Sequence, residues 1–318
     1  MRRLFAAALV ALAGCTGNFN WRTVKANPAP PRFAVAPDGS TWAFGGLGVW
    51  HRSTGGTWTN VNICGPYSTR HDYDSADLAF SGGITWALCA TNGGRVLLRY
   101  EGGNATLMTI PKYTDFSLVQ LDGDIALLSD TSVYKHDGNS FTVFAPAPPK
   151  TLIPAAAAGR SLTDLYVGQV PEMQHWNGTA WLPMGRPADR TLNPGTPIFR
   201  EGQVFAGNTR LVGEQFLPVV TNNPGLARGV AFFAVAGADS AIFIGRPDTG
   251  SAEFGSDTAF FWYGKSGEAD LTFLGDGPFL SGSLYVAGGQ SGFAIDDHTL
   301  LVVNSRSATT NELLEGVR

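Results

Sequence analysis

Leu162 to Pro187 reads L-T-D-L-Y-V-G-Q-V-P-E-M-Q-H-W-N-G-T-A-W-L-P-M-G-R-P. Leu165 to Gly168 forms a short apolar strand, a second strand ends at His175 and Trp176, and a third opens with Trp181. Asn177-Gly178 separates the last two. Asn-Gly between two aromatic-bearing strands is the strongest short-range hairpin signal, because both central turn residues must tolerate positive φ.

The same unit recurs in degraded form on either side. One cluster runs from Arg32, through an Asp38-Gly39 turn and a Gly55-Gly56 turn, to Val61. A second starts at Asp77 and turns at Gly102-Gly103. A third starts near Phe116 and turns at Asp122-Gly123 and Asp137-Gly138. The quoted unit is the fourth, with Thr151 to Ala157 as its expected inner strand. A fifth runs from Thr196 and a sixth from Arg228; a seventh is read in P-F-L-S-G, S-L-Y-V-A-G-G, S-G-F-A-I-D-D and T-L-L-V-V-N. Arg52, Tyr100, His136, Trp176, Val212, Tyr263 and Ile295 stand just before the third turn of successive units, roughly 32 to 51 residues apart. Propeller repeats live at this period. The expected fold is all-β, a β-propeller of seven four-stranded blades, with six or eight as the alternatives. Residues 32–305 are assigned to the propeller.

Bulk composition agrees. The chain has 318 residues, Gly 40, Pro 19, 15% charged and 44% hydrophobic residues. That mix suits many short strands with tight turns around a sizeable core. The formal net charge of -4 argues against a nucleic-acid binder. Beyond the N-terminal segment no apolar run reaches the roughly 18 residues that span a bilayer.

The first residues are M-R-R-L-F-A-A-A-L-V-A-L-A-G-C. A positive start at Arg2 and Arg3 and an apolar stretch from Leu4 to Ala11 read as a secretory signal, excluded from the fold. Leu12-Ala13-Gly14-Cys15 resembles the lipobox of bacterial lipoproteins. The resemblance implies cleavage after residue 14, acylation of Cys15, and a chain anchored to the bacterial cell envelope. Thr16 stands where an Asp would resemble an inner-membrane retention signal, which points to the outer membrane. Residues 15–31 are then a lipidated tether. Phe19 to Val24 either pairs with the seventh blade and closes the ring or merely spaces the domain from the lipid. Residues 306–318 read as a C-terminal tail, either a short helix capped near Thr309 or a frayed end.

The repeat resembles the loose propeller repeats of secreted bacterial proteins. It lacks the G-H and W-D pair of WD40 repeats and the double glycine of kelch. The Asp box S-x-D-x-G-x-x-W is matched only in part by Pro37-Asp38-Gly39-Ser40-Thr41-Trp42.

Several residues are candidates for chemistry. Cys64 and Cys89 either form a disulfide, which an exported protein retains, or are two buried thiols. His71, Asp72 and Asp74 lie within four residues and are weak metal candidates, read first as a solvated loop. Asp296-Asp297-His298 is expected at the last hairpin turn, where Asp needs no catalytic reason. His136 and His175 recur before equivalent turns, which favours a structural role. Arg95, Arg99, Arg200, Arg210, Arg228 and Arg246 are read as scattered surface charges. The insertion Pro247 to Asp257 is the candidate functional loop, since insertions into repeats map to one face. No G-x-S-x-G, H-E-x-x-H or P-loop occurs, so no catalytic residue and no cofactor is assigned. The expectation is an envelope-anchored binding or scaffolding module for a protein or glycan ligand. The alternative is a propeller-type glycan hydrolase or lyase with its site at the central axis.

Overall fold

The computed structural model describes residues 20–26, 32–45, 48–65, 67, 76–91, 94–111, 115–149, 156–168, 173–184, 197–200, 203–206, 209–218, 230–235, 240–245, 258–265, 272–279, 292–296, 298–307 and 310–317. Every regular element among them is a β-strand.

The strands fall into four-stranded antiparallel units. Unit one is Arg32–Val35, Thr41–Gly45, Gly48–Arg52 and Trp58–Val61. Unit two is Ala76–Ser81, Ile84–Thr91, Gly94–Glu101 and Asn104–Met108. Unit three is Ser117–Gln120, Ile125–Leu128, Ser132–His136 and Phe141–Pro146. Unit four is Ala156–Ser161, Asp164–Gly168, Met173–Trp176 and Trp181–Met184. Unit five is Pro197–Arg200, Gln203–Ala206, Thr209–Val212 and Gln215–Pro218. Unit six is Val230–Val235, Ser240–Gly245, Thr258–Lys265 and Thr272–Phe279. Unit seven takes Gly292–Ala294, Thr299–Ser307 and Thr310–Val317 from the C-terminus and Asn20–Ala26 from the N-terminus. Five units are separate sheets; units three and four share one eight-stranded sheet.

Burial follows position in the unit. The second strand of unit three, Ile125–Leu128, is buried at every residue, whereas the fourth strand of unit two, Asn104–Met108, is mostly exposed. A strand covered on both faces by neighbouring sheets reads as a continuous apolar run, and an edge strand does not. The core therefore lies between units. Trp42, Phe44 and Val49 of unit one meet Leu78, Phe80 and Cys89 of unit two. Trp86, Leu88 and Leu97 meet Phe116, Ile125 and Tyr134 of unit three. Val119, Leu128 and Val133 meet Leu165, Val167 and Trp176 of unit four. Tyr166, Met173 and Met184 meet Val204 and Leu211 of unit five. Leu301 and Leu313 of unit seven meet Phe33 and Ala43 of unit one. Each Val, Leu, Ile, Phe or Met side chain among them contributes ~1.5–3 kcal/mol on full burial.

Backbone alternation divides the connections between two faces. The turns joining first to second and third to fourth strands share one face, here the turn face. The other connections share the opposite, loop face. At Asn177-Gly178 on the turn face, Asn177 Oδ1 accepts from the amides of Thr179 (3.0 Å) and Ala180 (2.9 Å). Gly178 has φ 91°. A Cβ there would lie 3.1 Å from Thr163 Cβ, so both conformation and space favour glycine.

Three sequence readings are corrected. The inner strand of unit four is Ala156–Ser161, not Thr151 to Ala157; residues 151–155 lie outside the described residues. Small side chains decide this, because the strand pairs with the first strand of unit three through Gln120 and Ala158. A Cβ on Gly159 would sit 2.5 Å from the Asp164 carbonyl and 3.2 Å from Leu121 Cδ2. Unit seven is out of phase with the reading from residue 278. Its first strand is Gly292–Ala294, and Thr272–Phe279 completes unit six. Residues 306–318 are not a tail or helix, since Thr310–Val317 is a full strand.

The last two corrections have one cause. Asn20–Ala26 pairs antiparallel with Thr310–Val317, from Asn20 opposite Val317 to Ala26 opposite Glu312. The N-terminal strand fills the outer place, so the C-terminus supplies only three strands. Glu315 makes the local sequence look polar, but its side chain is wholly buried. It accepts from Arg22 Nε at 2.8 Å and from Arg52 Nε at 2.6 Å. One carboxylate thus binds the N-terminal strand, unit seven and unit one together. Leaving the buried Glu315 carboxylate with neither arginine would cost ~3–5 kcal/mol, because its charge would then be uncompensated.

Candidate functional site

A cleft of about 200 Å³ opens on the turn face between units one and two. Unit one supplies the Ala36–Ser40 turn, Trp42 and His51; unit two supplies Phe80, Thr85, Tyr100 and Glu101. The turn is locked locally. The Ala36 amide donates to the Ser40 carbonyl at 2.8 Å, and Asp38 Oδ1 accepts from the Ser40 amide (2.9 Å) and hydroxyl (2.6 Å).

Strand register places the aromatic wall. Trp42 and His51 are cross-strand partners, and their rings lie 4.6 Å apart. Phe80 and Tyr100 approach the same indole at 6.1 and 6.3 Å, Tyr100 edge-on. Trp42 is 6% exposed, and its Nε1 has no hydrogen-bond partner among the described residues. A buried donor left unpaired costs free energy, and the indole nitrogens of Trp58, Trp86 and Trp176 share that state.

The electrostatics favour acceptance of hydrogen bonds over donation of protons. The Ser40 hydroxyl bond holds the Asp38 carboxyl below its ordinary range. Partial burial opposes this, and the Ser40 amide and nearby His51 add to it. Asp38 is therefore an ionised acceptor at neutral pH, not a general acid. Glu101 accepts from Arg99 Nη2 at 2.7 Å.

A second polar group lies between the turns of unit four. Asp164 Oδ1 is 2.8 Å from His175 Nε2, Arg160 Nη1 lies 3.5 Å from Oδ2, and the His175 ring stacks on Tyr166 at 4.4 Å. Burial raises the Tyr166 hydroxyl pKa, and its hydrogen bond to Asp164 adds to the effect. These groups satisfy one another and pin the hairpin.

Of the residues singled out in the sequence, Cys64 and Cys89 are joined by a disulfide with Cα atoms 5.7 Å apart. His136 packs against Trp86 at 4.7 Å and Phe141 at 5.1 Å, apart from His175. Arg95 approaches Asp77 at 3.4 Å. Arg200 and Arg210 lie on strands of unit five. Asp296 accepts from the His298 amide at 2.8 Å in the first turn of unit seven, not the last. Cys15, His71, Asp72, Asp74, Arg228, Arg246, Asp297 and Pro247 to Asp257 lie outside the described residues. Among the described residues no group of three or more His, Cys, Asp and Glu converges as a metal site would.

The cleft was missed in the sequence. Asp38-Gly39-Ser40-Thr41-Trp42 was legible as a partial motif and Tyr100 as a landmark, but nothing linear joins residues of two units.

No protein-family model and no curated protein matches the chain. Solved structures do. The chain is similar to the RRP9 WD40 repeats, with TM-score 0.56 and 12% identity over 94% of this chain and 99% of that one. It is similar to YCF48 from Cyanidioschyzon merolae, with TM-score 0.54 and 13% identity over 93% and 98%. It is also similar to an oligogalacturonate lyase from Vibrio parahaemolyticus, with TM-score 0.54 and 9% identity over 94% and 97%. At such identities the likeness shows the fold, a β-propeller.

Proposed function

We propose that this chain is an exported lipoprotein, acylated at Cys15, whose propeller is a binding module for a glycan, with the cleft between units one and two as the contact. The carrying observation is the composition of that cleft. Trp42 and Tyr100 offer aromatic walls and Asp38 an ionised acceptor for ligand hydroxyls. Its volume of about 200 Å³ is below the ~300–1,000 Å³ of pockets for drug-sized ligands, which suits one sugar ring of a longer chain. The ionised state of Asp38 supports binding over acid-catalysed cleavage.

The test is a glycan array probed with the folded domain, followed by titration of the strongest hit. Tyr100→Ala and Asp38→Asn are expected each to weaken binding about tenfold, the equivalent of ~1.4 kcal/mol, with unchanged circular dichroism. Undiminished binding in both variants removes the cleft from the reading. Shortened glycan products in the incubation replace a binding module with an enzyme. For the anchor, Cys15→Ser is expected to release soluble protein; unchanged membrane retention refutes acylation at that residue.

A further inference from the structure

We infer that the anchor holds the turn face, with its cleft, toward the membrane and presents the loop face outward. This rests on the acylation of Cys15 proposed above. The added observation is where the first strand begins. Asn20 pairs with Val317, which also pairs with Thr299, at the end of unit seven where the turn after Ala294 lies. Two residues on, Arg22 Nη2 donates to the Gly56 carbonyl at 3.3 Å, in the turn between the last two strands of unit one. A Cβ on Gly39, beside Asp38 of the cleft, would lie 3.7 Å from Thr54 of that same turn. The chain therefore enters the propeller on the face that carries the cleft.

Chain length then favours that face. Five peptide links from Cys15 to Asn20 reach at most about 18 Å at ~3.3–3.6 Å per residue. The strand Asn20–Ala26 then runs the full depth of the sheet, about 20 Å at ~3.3 Å per residue, before the chain reaches the loop face. A tether of that length brings the turn face nearest the leaflet, whereas the loop face comes as near only with the tether fully extended along the rim of unit seven.

Charge sets the gap. Asp38, Glu101, Asp122, Asp137, Glu214 and Asp296 are exposed on the turn face, and outnumber the exposed cations Arg22, Lys135 and Arg160 beside them. Carboxylates are repelled by anionic headgroups, and the repulsion decays over a Debye length of ~8 Å at physiological salt. That is shorter than the tether's full reach, which leaves room for water between the face and the leaflet. The connections 62–75, 185–196, 219–229, 246–257 and 280–291 all start and end on the other face, which is left for soluble partners.

The experiment uses the full lipidated chain in phosphatidylcholine vesicles doped with a headgroup-attached fluorescence quencher. Thr54→Cys on the turn face and Thr109→Cys on the loop face, both exposed, are labelled separately with one fluorophore. Strong quenching at position 54 and loss of most of it at position 109 is the expected result. A Gly/Ser insertion of ~20 residues before Asn20, with a root-mean-square span of ~25 Å, is expected to erase the difference. Equal quenching of the two labels at native tether length overturns the orientation alone. Failure of the unaltered chain to float with the vesicles overturns the anchor, and the orientation with it.

Discussion

Two junctions between neighbouring units solve the same packing problem differently. Units three and four share a side-chain core and are also joined by backbone bonds. Their first strands pair at Gln120 and Ala158, the Asp122 amide donates to the Arg160 carbonyl at 3.4 Å, and Trp181 Nε1 donates to the Pro146 carbonyl at 2.7 Å. Units one and two meet through side chains. Trp42, Phe80 and Tyr100 pack on the turn side, and the Cys64–Cys89 disulfide closes the loop side. Small residues, Gly159 above all, permit the first arrangement; large aromatics keep the sheets of the second apart and leave the cleft. The cleft thus lies at a junction whose sheets do not merge, and a covalent bond holds it.

The largest expected effect tests that bond. Reducing the disulfide, or Cys64→Ser, removes a cross-link across a separation of 25 residues. By chain entropy this costs ~3 kcal/mol, read as a shift in the urea midpoint. Ligand affinity at the cleft is expected to fall with it. An unchanged midpoint shows that aromatic packing alone sustains the junction.

Gly159→Ala breaks the other junction. Its Cβ meets a backbone carbonyl, which cannot swing aside, so a cost of ~1–3 kcal/mol is expected. Cleft affinity should not move, because the perturbation lies in the three–four sheet. A parallel loss of affinity would show that the two junctions are coupled.

The smallest effect is on pH dependence. The native pKa of Asp38 is depressed, so the stability it contributes is full above the ordinary carboxylate pKa and fades as pH falls through the native value. Ser40→Ala removes the main cause of the depression. The variant is expected to be slightly less stable at neutral pH and to lose less on acidification, since native and unfolded values converge. Parallel urea midpoints from pH 7 to pH 3 for the two proteins would remove Ser40 as the cause.

Much of the architecture was legible because its signals are local. Asn177-Gly178 reads as a turn, and the Asp122-Gly123 and Asp137-Gly138 pairs mark the turns of unit three. Unit seven departs from the sequence reading because residues 310–317, read as a capped helix or a frayed end, form a strand whose Glu315 is the most buried acid among the described residues. Its partners are 293 and 263 positions away, and no local pattern announces them.

The sequence by itself determined the β class, most strand and turn positions in units one to six, and the repeat period. Each follows from φ preference, side-chain alternation or spacing within a few tens of residues. Only the tertiary structure decided which strands complete unit seven, why a carboxylate lies in its core, which sheets merge and which stay apart, and that Asp38 shares a cleft with Tyr100. Those outcomes depend on long-range pairing and on the space left between sheets, quantities that exist only once the chain has closed on itself.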